Sequence, residues 1–549
     1  MSVNIGGQNA IILKEGTSRT QGQEAQHANI EAALVIAESI KSSLGPKGMD
    51  KMLVDGFGDV TISNDGATIL DEMDVQHPAA KTMVEIAKTQ DDEVGDGTTT
   101  VVVLAGELLS KAEALMDKNV HPTQVIDGYS LAEEKAVEFM GKIAIKVSPT
   151  DKVMLKKIAV VSIASKLISE QKDHIADMAV KAVLEVAEKT GTGYVVDIDN
   201  IKVEKKPGGS LIDTVLIQGI LLDKEVVHPG MPKRVENCKI ALLNCPLEIE
   251  KPEFDSKLNI DNPDQMKRFL DEEEKLLREM VEKIASVGAN VVVCEKGIDD
   301  SVQHFMAKKN ILAVRRVKQS DMEKLTKATG AHIITNISDL KPSDIGHAKL
   351  TEERKVSDDK MTFIEGCKDP KALSILVRGG TERVVDEAER AIHDGLCVVR
   401  DVVVEPHVVV GGGATETEIA RMLRNYGEKL SGKEQLAVQA FADSLEAIPM
   451  ILAENAGMDP IDSLMELRAK HQGKHRWAGI DPFNGKISDL LKLDVYEPLA
   501  VKIQAVKSAG EAAGMLLKID DVIAASKSKG GAGGPKGQKE SAKEEGEGD

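Results

Sequence analysis

Aromatic residues are scarce in this chain of 549 residues, which has eight Phe, four Tyr and one Trp. Binding single-stranded nucleic acid by stacking bases on aromatic platforms has almost no supply here. A cationic surplus is missing too: 70 Lys and Arg against 90 Asp and Glu leave a net charge of −20. Such a surface repels phosphate backbones and anionic bilayers, so neither nucleic acid nor membrane is expected as a partner. Five cysteines (Cys238, Cys245, Cys294, Cys367 and Cys397) form no CxxC pair, which removes a disulfide framework, a zinc ribbon and a thioredoxin-like site. No HExxH and no Walker GxxxxGK[ST] occur, and no GxGxxG follows a strand-like run. The start, MSVNIGGQNAIILKEGTSRT, lacks the basic residues and long apolar run of a secretory signal. The apolar run at Val101 stops at Ala105, far short of a membrane span. The expectation is a soluble protein of the reducing cytoplasm.

What is present is aliphatic. Hydrophobic residues make up 42% of the chain, with 46 Gly and 20 Met, so the cores must be built from Ala, Val, Ile, Leu and Met. The length suits about three to four domain-sized cores. Ile30, Ala33, Leu34, Ala37, Ile40 and Leu44 recur at helical spacing until Gly45-Pro46. Met52–Val54 and Val60–Ile62 read as short strands, and helical periodicity returns over Ala79–Ala87 and Thr98–Leu115. The first 150 residues are therefore expected to be mainly helical. The middle alternates: a strand at Val291–Cys294, a helix to Asn310, a strand at Ile311–Val317, a capping box Ser320–Glu323 opening a helix to Gly330, then a strand from Ile333. That order implies right-handed crossovers and a small parallel sheet. Asn262-Pro263 opens another helix, with Met266, Phe269, Leu270, Leu276, Leu277, Met280, Val281 and Ile284 at helical spacing between solvated DEEEK-like residues. It reads either as a surface helix lying on its own domain or as a protrusion meeting another chain. From Asp394 to about Ala525 the pattern is helical again. The last stretch, from Gly530, has no Val, Leu, Ile or Phe and cannot offset the entropy of ordering.

The strongest local signal is Gly95-Asp96-Gly97-Thr98-Thr99-Thr100 before a long apolar helix. Two glycines let another group approach the backbone, and a helix N-terminus presents free N–H groups to an anion. Asp96 would repel phosphate unless a divalent cation lay between them, so Mg²⁺ with phosphate is one reading. A plainly capped helix is the other. Gly411-Gly412-Gly413 and Leu44-Gly45-Pro46-Lys47-Gly48 are further backbone-exposing turns, each readable alone as punctuation. Asp65, in Ser63-Asn64-Asp65-Gly66, follows a strand, and Asp394 lies inside the helical stretch Thr381–Arg400. By themselves they read as a turn former and a solvated helix face.

Taken in order, these motifs resemble the group II chaperonins of the archaeal thermosome type. The resemblance runs from about Gln8 to Val522 and is carried by SSLGPKGMDKML (Ser42 to Leu53), SNDGATIL (Ser63 to Leu70), EVGDGTTTVVVLAGELL (Glu93 to Leu109), KKPGGS (Lys205 to Ser210), ERAIHDGLCVVRD (Glu389 to Asp401) and VVVGGGATE (Val408 to Glu416). It implies a multi-domain α and α/β subunit: a mainly helical equatorial domain at 1–150 and 405–525, an intermediate domain at 151–222 and 372–404, and an α/β apical domain at 223–371. A lid protrusion at about 246–284 and a disordered tail at 526–549 complete the layout. It also implies an ATP-dependent chaperone. Asp65 and Asp394 would be its catalytic carboxylates and Asp96 its Mg²⁺ ligand. Gly97, Thr98, Thr99 and Thr100 would cradle phosphates, Lys166 would sense the terminal phosphate, and Leu44, Gly45 and Pro46 would lie against the nucleotide. Gly412 would meet the nucleoside, Glu497 the ribose, and Gly479, Ile480 and Asp481 the base. Implied partners are non-native polypeptides and self or paralogous subunits in a hexadecamer-like double ring. Two positions depart from the pattern: Gly395 replaces an alanine after Asp394, and Asp481-Pro482-Phe483 replaces an asparagine- or aliphatic-containing base loop. A metabolic enzyme built on the central α/β unit would need a glycine fingerprint, and only Gly297 follows Val291–Cys294. A ring scaffold without turnover conflicts with the presence of both Asp65 and Asp394.

Overall fold

Aliphatic residues at helical spacing draw the two ends of the chain into one core. The structure, a computed structural model, describes residues 2–5, 8–11, 18–166, 171–191, 193–249, 263–368 and 370–524. From the N-terminal part come the helices Gln23–Lys41, Pro78–Val94, Thr98–Met116 and Pro122–Ile143. From the C-terminal part come Ala414–Gly427, Lys433–Leu445 and Leu499–Leu517. Thr98–Met116 is the axis of this core. Val101, Val102, Leu104, Ala105, Leu108, Leu109 and Ala112 bury it on every side, as an all-round apolar helix requires. Tyr129 and Phe441 meet edge to face at 5.6 Å, joining the two ends of the chain. Ser18–Gln21 also pairs antiparallel with Asp521–Ala524. The stretch Lys433–Asn455 is apolar enough to span a bilayer by length and composition, but 72% of its 18-residue apolar window is buried here as core.

A second core gathers the helices Lys152–Ile163, Lys172–Val186 and Glu382–Val404 over a three-stranded sheet. In that sheet Leu373–Gly379 runs parallel to Ile201–Pro207 and antiparallel to Val215–Ile217. A third core, over residues 220 to 372, is α/β. Its small parallel sheet contains the expected strands Val291–Cys294, Leu312–Val314 and Ile333–Ile334, together with Arg234–Leu243, which was not expected and which pairs with both the first and the last of them. Antiparallel partners Gly346–Val356, Asp359–Glu365 and Gly219–Leu222 extend it to a mixed sheet of seven.

Several boundaries differ from expectation. The first helix ends at Lys41 rather than Leu44, because Ser42 caps it and the chain turns into Gly45-Pro46. The strand expected over Ile311–Val317 is Leu312–Val314, cut short where Arg316 takes a positive φ of 55°. The capping box at Ser320–Glu323 does not form. The helix starts at Gln319 with Lys318 as an N-cap lacking a side-chain bond, and buried Asp321 instead pairs with Lys202 at 2.9 Å. The helix opened by Pro263 runs to Ser286, while Asn262 and the Gly-rich tail lie outside the described residues. Its second half packs inward through Leu277, Val281 and Ile284, whereas Met266, Phe269 and Leu270 of its first half, and Leu276 just beyond it, remain exposed. The surface-helix reading therefore holds for only half of it.

Between the helices Pro122–Ile143 and Leu499–Leu517, the Glu133 carboxylate is wedged against Gly510, where a Cβ would stand 2.5 Å from Oε2. Burial, helped by repulsion from Glu511, pushes this carboxyl up to about 7. A carboxyl raised on folding favours the native state while it is protonated, and that advantage is lost as pH climbs through 7. Glu133→Gln is therefore expected to raise the thermal midpoint at pH 8 and leave it unchanged at pH 5. Equal shifts at both pH values in a thermal scan would contradict this assignment.

Candidate functional site

The loop between Pro78–Val94 and Thr98–Met116 is shaped by two left-handed glycines, Gly95 (φ 66°) and Gly97 (φ 79°). A Cβ at Gly95 would stand 2.3 Å from Cys397 Sγ, so only glycine lets the Glu382–Val404 helix pass this close. Asp96 between them accepts the Gly97 N–H at 2.6 Å. Buried Gln90 donates to the Asp96 carbonyl at 2.8 Å and the Val501 carbonyl at 3.3 Å, tying the loop to the C-terminal helix. Thr98–Met116 has no side-chain N-cap, so its first-turn N–H groups are available to an external anion.

Asp65 is the N-cap of the short helix Gly66–Asp71. Its carboxylate accepts the Thr68 N–H, the Thr68 hydroxyl and the Thr98 hydroxyl, each at 2.9 Å. Lys166, just beyond Lys152–Ile163, brings its Nζ to 3.6 Å from Asp65 and 3.0 Å from Asp394. Lys166 and Asp394 are buried, and the Asp65 side chain is nearly so at 11% exposure. Three further bonds cross from the second core to the first: Asn64 Nδ2 donates to the Ser165 carbonyl, Arg390 to the Ile62 carbonyl at 3.3 Å, and Arg400 to the Glu93 carbonyl at 2.5 Å. The two carboxylates respond differently. Burial works against ionised Asp65, but the Lys166 ammonium and three hydrogen bonds outweigh it and hold the carboxyl below its ordinary range. Burial lifts Asp394 well above that range; Lys166 opposes the rise, while Asp65 and Asp96 add to it. Burial disfavours the Lys166 ammonium, yet Asp394, Asp65 and Glu387 hold it firmly charged.

Beside this cluster lies a cavity of about 690 Å³. Leu44, Gly45, Pro46, Asp96, Gly97, Thr100, Gly412, Ile480, Asp481 and Glu497 line one side, and Val160, Val161, Ser162, Ser165 and Val398 of the second core close the other. The three turns remote in sequence thus converge on one space. Not every expected residue faces it. Thr98 and Thr99 are buried behind Gly97, where the Thr98 hydroxyl is spent on Asp65. Gly479 packs against the Gly412 carbonyl and Leu490, where a Cβ would lie 2.8 and 2.5 Å away. Asp65, Lys166 and Asp394 adjoin the wall through Gly97-Thr98, Ser165 and Val398 rather than forming it. Asp481 is in the wall, but its carboxylate is occupied by Asn484 and Ser488 at 2.8 and 3.3 Å. Two residues that sequence reasoning missed are Lys502, which lines the cavity, and Glu416, whose carboxylate it meets at 2.7 Å. A lone lysine on the buried face of an apolar helix was the available signal for the first. A glutamate three residues after the last glycine of a triple-glycine turn, in the first turn of the helix, was the signal for the second.

The TCP-1/cpn60 chaperonin family model matches residues 36–527. The chain belongs to that family. This chaperonin is 58% identical to the thermosome subunit beta of Thermococcus kodakarensis over 96% of its own length and 98% of the relative's. It is 58% identical to a thermosome subunit of Methanopyrus kandleri over 94% and 95%. With thermosome subunit beta of Sulfolobus acidocaldarius it shares 55% over 97% of each. It is an archaeal group II chaperonin, an ATP-hydrolysing chaperone that assists folding within a double-ring assembly.

Gly395 sits inside Glu382–Val404, one residue after Asp394. A Cβ there would lie 3.2 Å from Ile163 Cδ1 and 3.7 Å from Ala179 Cβ, the nearer atom being the end of a flexible side chain. Helix propensity favours alanine by about 1 kcal/mol. Gly395→Ala is expected to stabilise this chaperonin by up to about that amount, seen as a raised thermal midpoint. A lowered midpoint would show that Ile163 has no room to yield.

Proposed function

We propose that the cavity is the ATP site and that the Asp65–Lys166–Asp394 cluster beside it is the hydrolytic centre. The observation that carries this reading is the Lys166 ammonium, 3.6 Å from a carboxylate of the first core and 3.0 Å from one of the second. The N–H groups at the uncapped start of Thr98–Met116 suit phosphate oxygens, and the Asp96 carboxylate in the wall suits a divalent cation. A donor set of one carboxylate facing phosphate-binding N–H groups fits Mg²⁺, with Asp96 as its protein ligand. Magnesium bound there supplies neutralisation of the triphosphate charge.

The residues then divide the work. Asp394, whose carboxyl burial lifts well above its ordinary value, is suited to take a proton from the attacking water. Asp65, held ionised by Thr68 and Thr98, keeps a fixed negative charge opposite it. Lys166 separates the two and is placed to meet the terminal phosphate. Leu44, Gly45 and Pro46 hold the nucleotide's flank, Gly412 its nucleoside and Glu497 its ribose. Of the base loop, Ile480 offers the contact, since Asp481 is occupied within its own hairpin.

In this reading the first core is the equatorial domain, the second the intermediate and the third the apical domain, with the boundaries expected from sequence. Asp394 rides on the intermediate domain, so hydrolysis requires that domain to be seated on the equatorial one. The exposed apolar residues Met266, Phe269, Leu270 and Leu276 of Pro263–Ser286 belong to a built-in lid at about 246–284, of which residues 250–262 lie outside the described residues. Its clients are non-native polypeptides, met by apolar side chains of the apical domain. The subunits, identical or paralogous, form a hexadecamer-like double ring in the cytoplasm.

Asp394→Ala is expected to bind ATP at equilibrium but to lose at least about a hundredfold in turnover, the scale of a positioned general base. Wild-type steady-state turnover by that variant would overturn the assignment.

A further inference from the structure

Glu497 lies in the strand Tyr496–Pro498, directly opposite Val409 of His407–Val410. One carboxylate oxygen nests against Gly411, where a Cβ would stand 2.1 Å away. The other lies 2.5 Å from Lys502 Nζ. The same ammonium meets Glu416 Oε1 at 2.7 Å. Lys502 comes from the first turn of Leu499–Leu517 and Glu416 from the first turn of Ala414–Gly427, so three separate elements deliver the group. Lys502 and Glu416 are almost fully buried, at 9% and 5% side-chain exposure, and Glu497 is partly open at 24%. Lys502 and Glu497 both line the cavity. Glu416 Oε2 is buried without a hydrogen-bond partner among the described residues.

Two carboxylates around one ammonium leave a net negative charge and spare acceptor lone pairs. That combination repels phosphate and welcomes neutral O–H donors, whereas the Gly97 end of the cavity offers N–H donors to anions. The cavity is therefore polarised along its length. A nucleotide fits it with phosphates at the helix N-terminus and the sugar's vicinal hydroxyls at Glu497. We infer that Lys502, itself held by Glu416, positions Glu497 to accept the ribose hydroxyls and so sets a preference for ribonucleotides over their deoxy counterparts. Without the ammonium, two buried carboxylates would face each other; one would take up a proton and turn from acceptor to donor. Burial already pushes the Glu497 carboxyl upward and Lys502 restrains it, in keeping with this role.

The inference rests on reading this cavity as the ATP site, and the test separates the two. The assembled protein is compared with Lys502→Met, Lys502→Arg and Glu497→Gln by the ratio of kcat/KM for ATP to that for 2′-deoxyATP and 3′-deoxyATP. The wild type is expected to prefer ATP by about tenfold or more, because a site built for hydroxyls is left with unpaired acceptors by an analogue lacking them. Lys502→Met should bring the ratio close to one, and Lys502→Arg should retain most of it. If Glu497→Gln lowers the ratio while Lys502→Met keeps the wild-type value, the positioning role is overturned and the cavity assignment stands. If neither variant alters the ratio or KM for ATP, the cavity assignment falls as well. Should Lys502→Met fail to assemble, Glu416→Gln reads the same quantity. A drop of at least threefold is then expected, and an unchanged ratio overturns the inference.

Discussion

One buried ammonium bridges carboxylates that come from two different cores and from distant parts of the sequence. Lys166 faces Asp65, which caps a short helix of the core shared by both chain ends, and Asp394, in the middle of a helix of the second core. Taking such charges out of water is costly, and stripping one partner from a buried cluster costs about 3–5 kcal/mol, because what remains is uncompensated. A non-polar contact of similar size would hold the two cores together without that risk. Charged groups at this junction make sense when the junction must also meet a charged ligand. The unequal response of the two carboxylates follows from their surroundings: Asp65 has three hydrogen-bond donors besides the lysine, while Asp394 has the lysine against Asp65 and Asp96.

The cavity next to that junction is lined from both cores. Its glycine-rich side belongs to the chain-end core, and its opposite side to the segments around Ser162 and Val398. Asn64, Arg390 and Arg400 make the polar bonds across the same seam. In the proposed reading, binding and chemistry divide along it. The turns at Gly45, Gly97 and Gly412 would hold a nucleotide from one side, and the carboxylate of Asp394 would arrive from the other. An ATPase arranged in this way makes turnover report the seating of one domain on the next, which is what a folding machine driven through a conformational cycle requires.

Much of this was legible in the residues, and the limits are physical. Long amphipathic helices and the alternating strands around Val291 and Leu312 showed plainly, because their spacing records which face is buried. The antiparallel half of the central sheet did not, since its pairing depends on strands more than a hundred residues apart, such as Arg234–Leu243 with Gly346–Val356. Ser320 and Glu323 had the spacing of a capping box, yet the buried pairing of Asp321 with Lys202 accompanies a helix that starts two residues earlier. Of the site, the motif order pointed to turns that share one cavity but not to which atoms face it. Thr98 and Thr99 look alike to a motif, and only packing shows that they are turned inward. Lys502 and Glu416 were overlooked because a single charge on an apolar helix face signals burial without naming its partner.

The account turns on three carboxylates gathering about one terminal phosphate, and structure determination of the assembled ring with Mg²⁺, ADP and aluminium fluoride addresses it most directly. The planar fluoride complex mimics the phosphoryl group in transit. It is predicted to lie between the Thr98–Met116 N-terminus and Lys166, with Mg²⁺ on Asp96 and the apical water within hydrogen-bond reach of Asp394. Fluoride and nucleotide density elsewhere, or an Asp394 carboxylate facing away from the water, would contradict it.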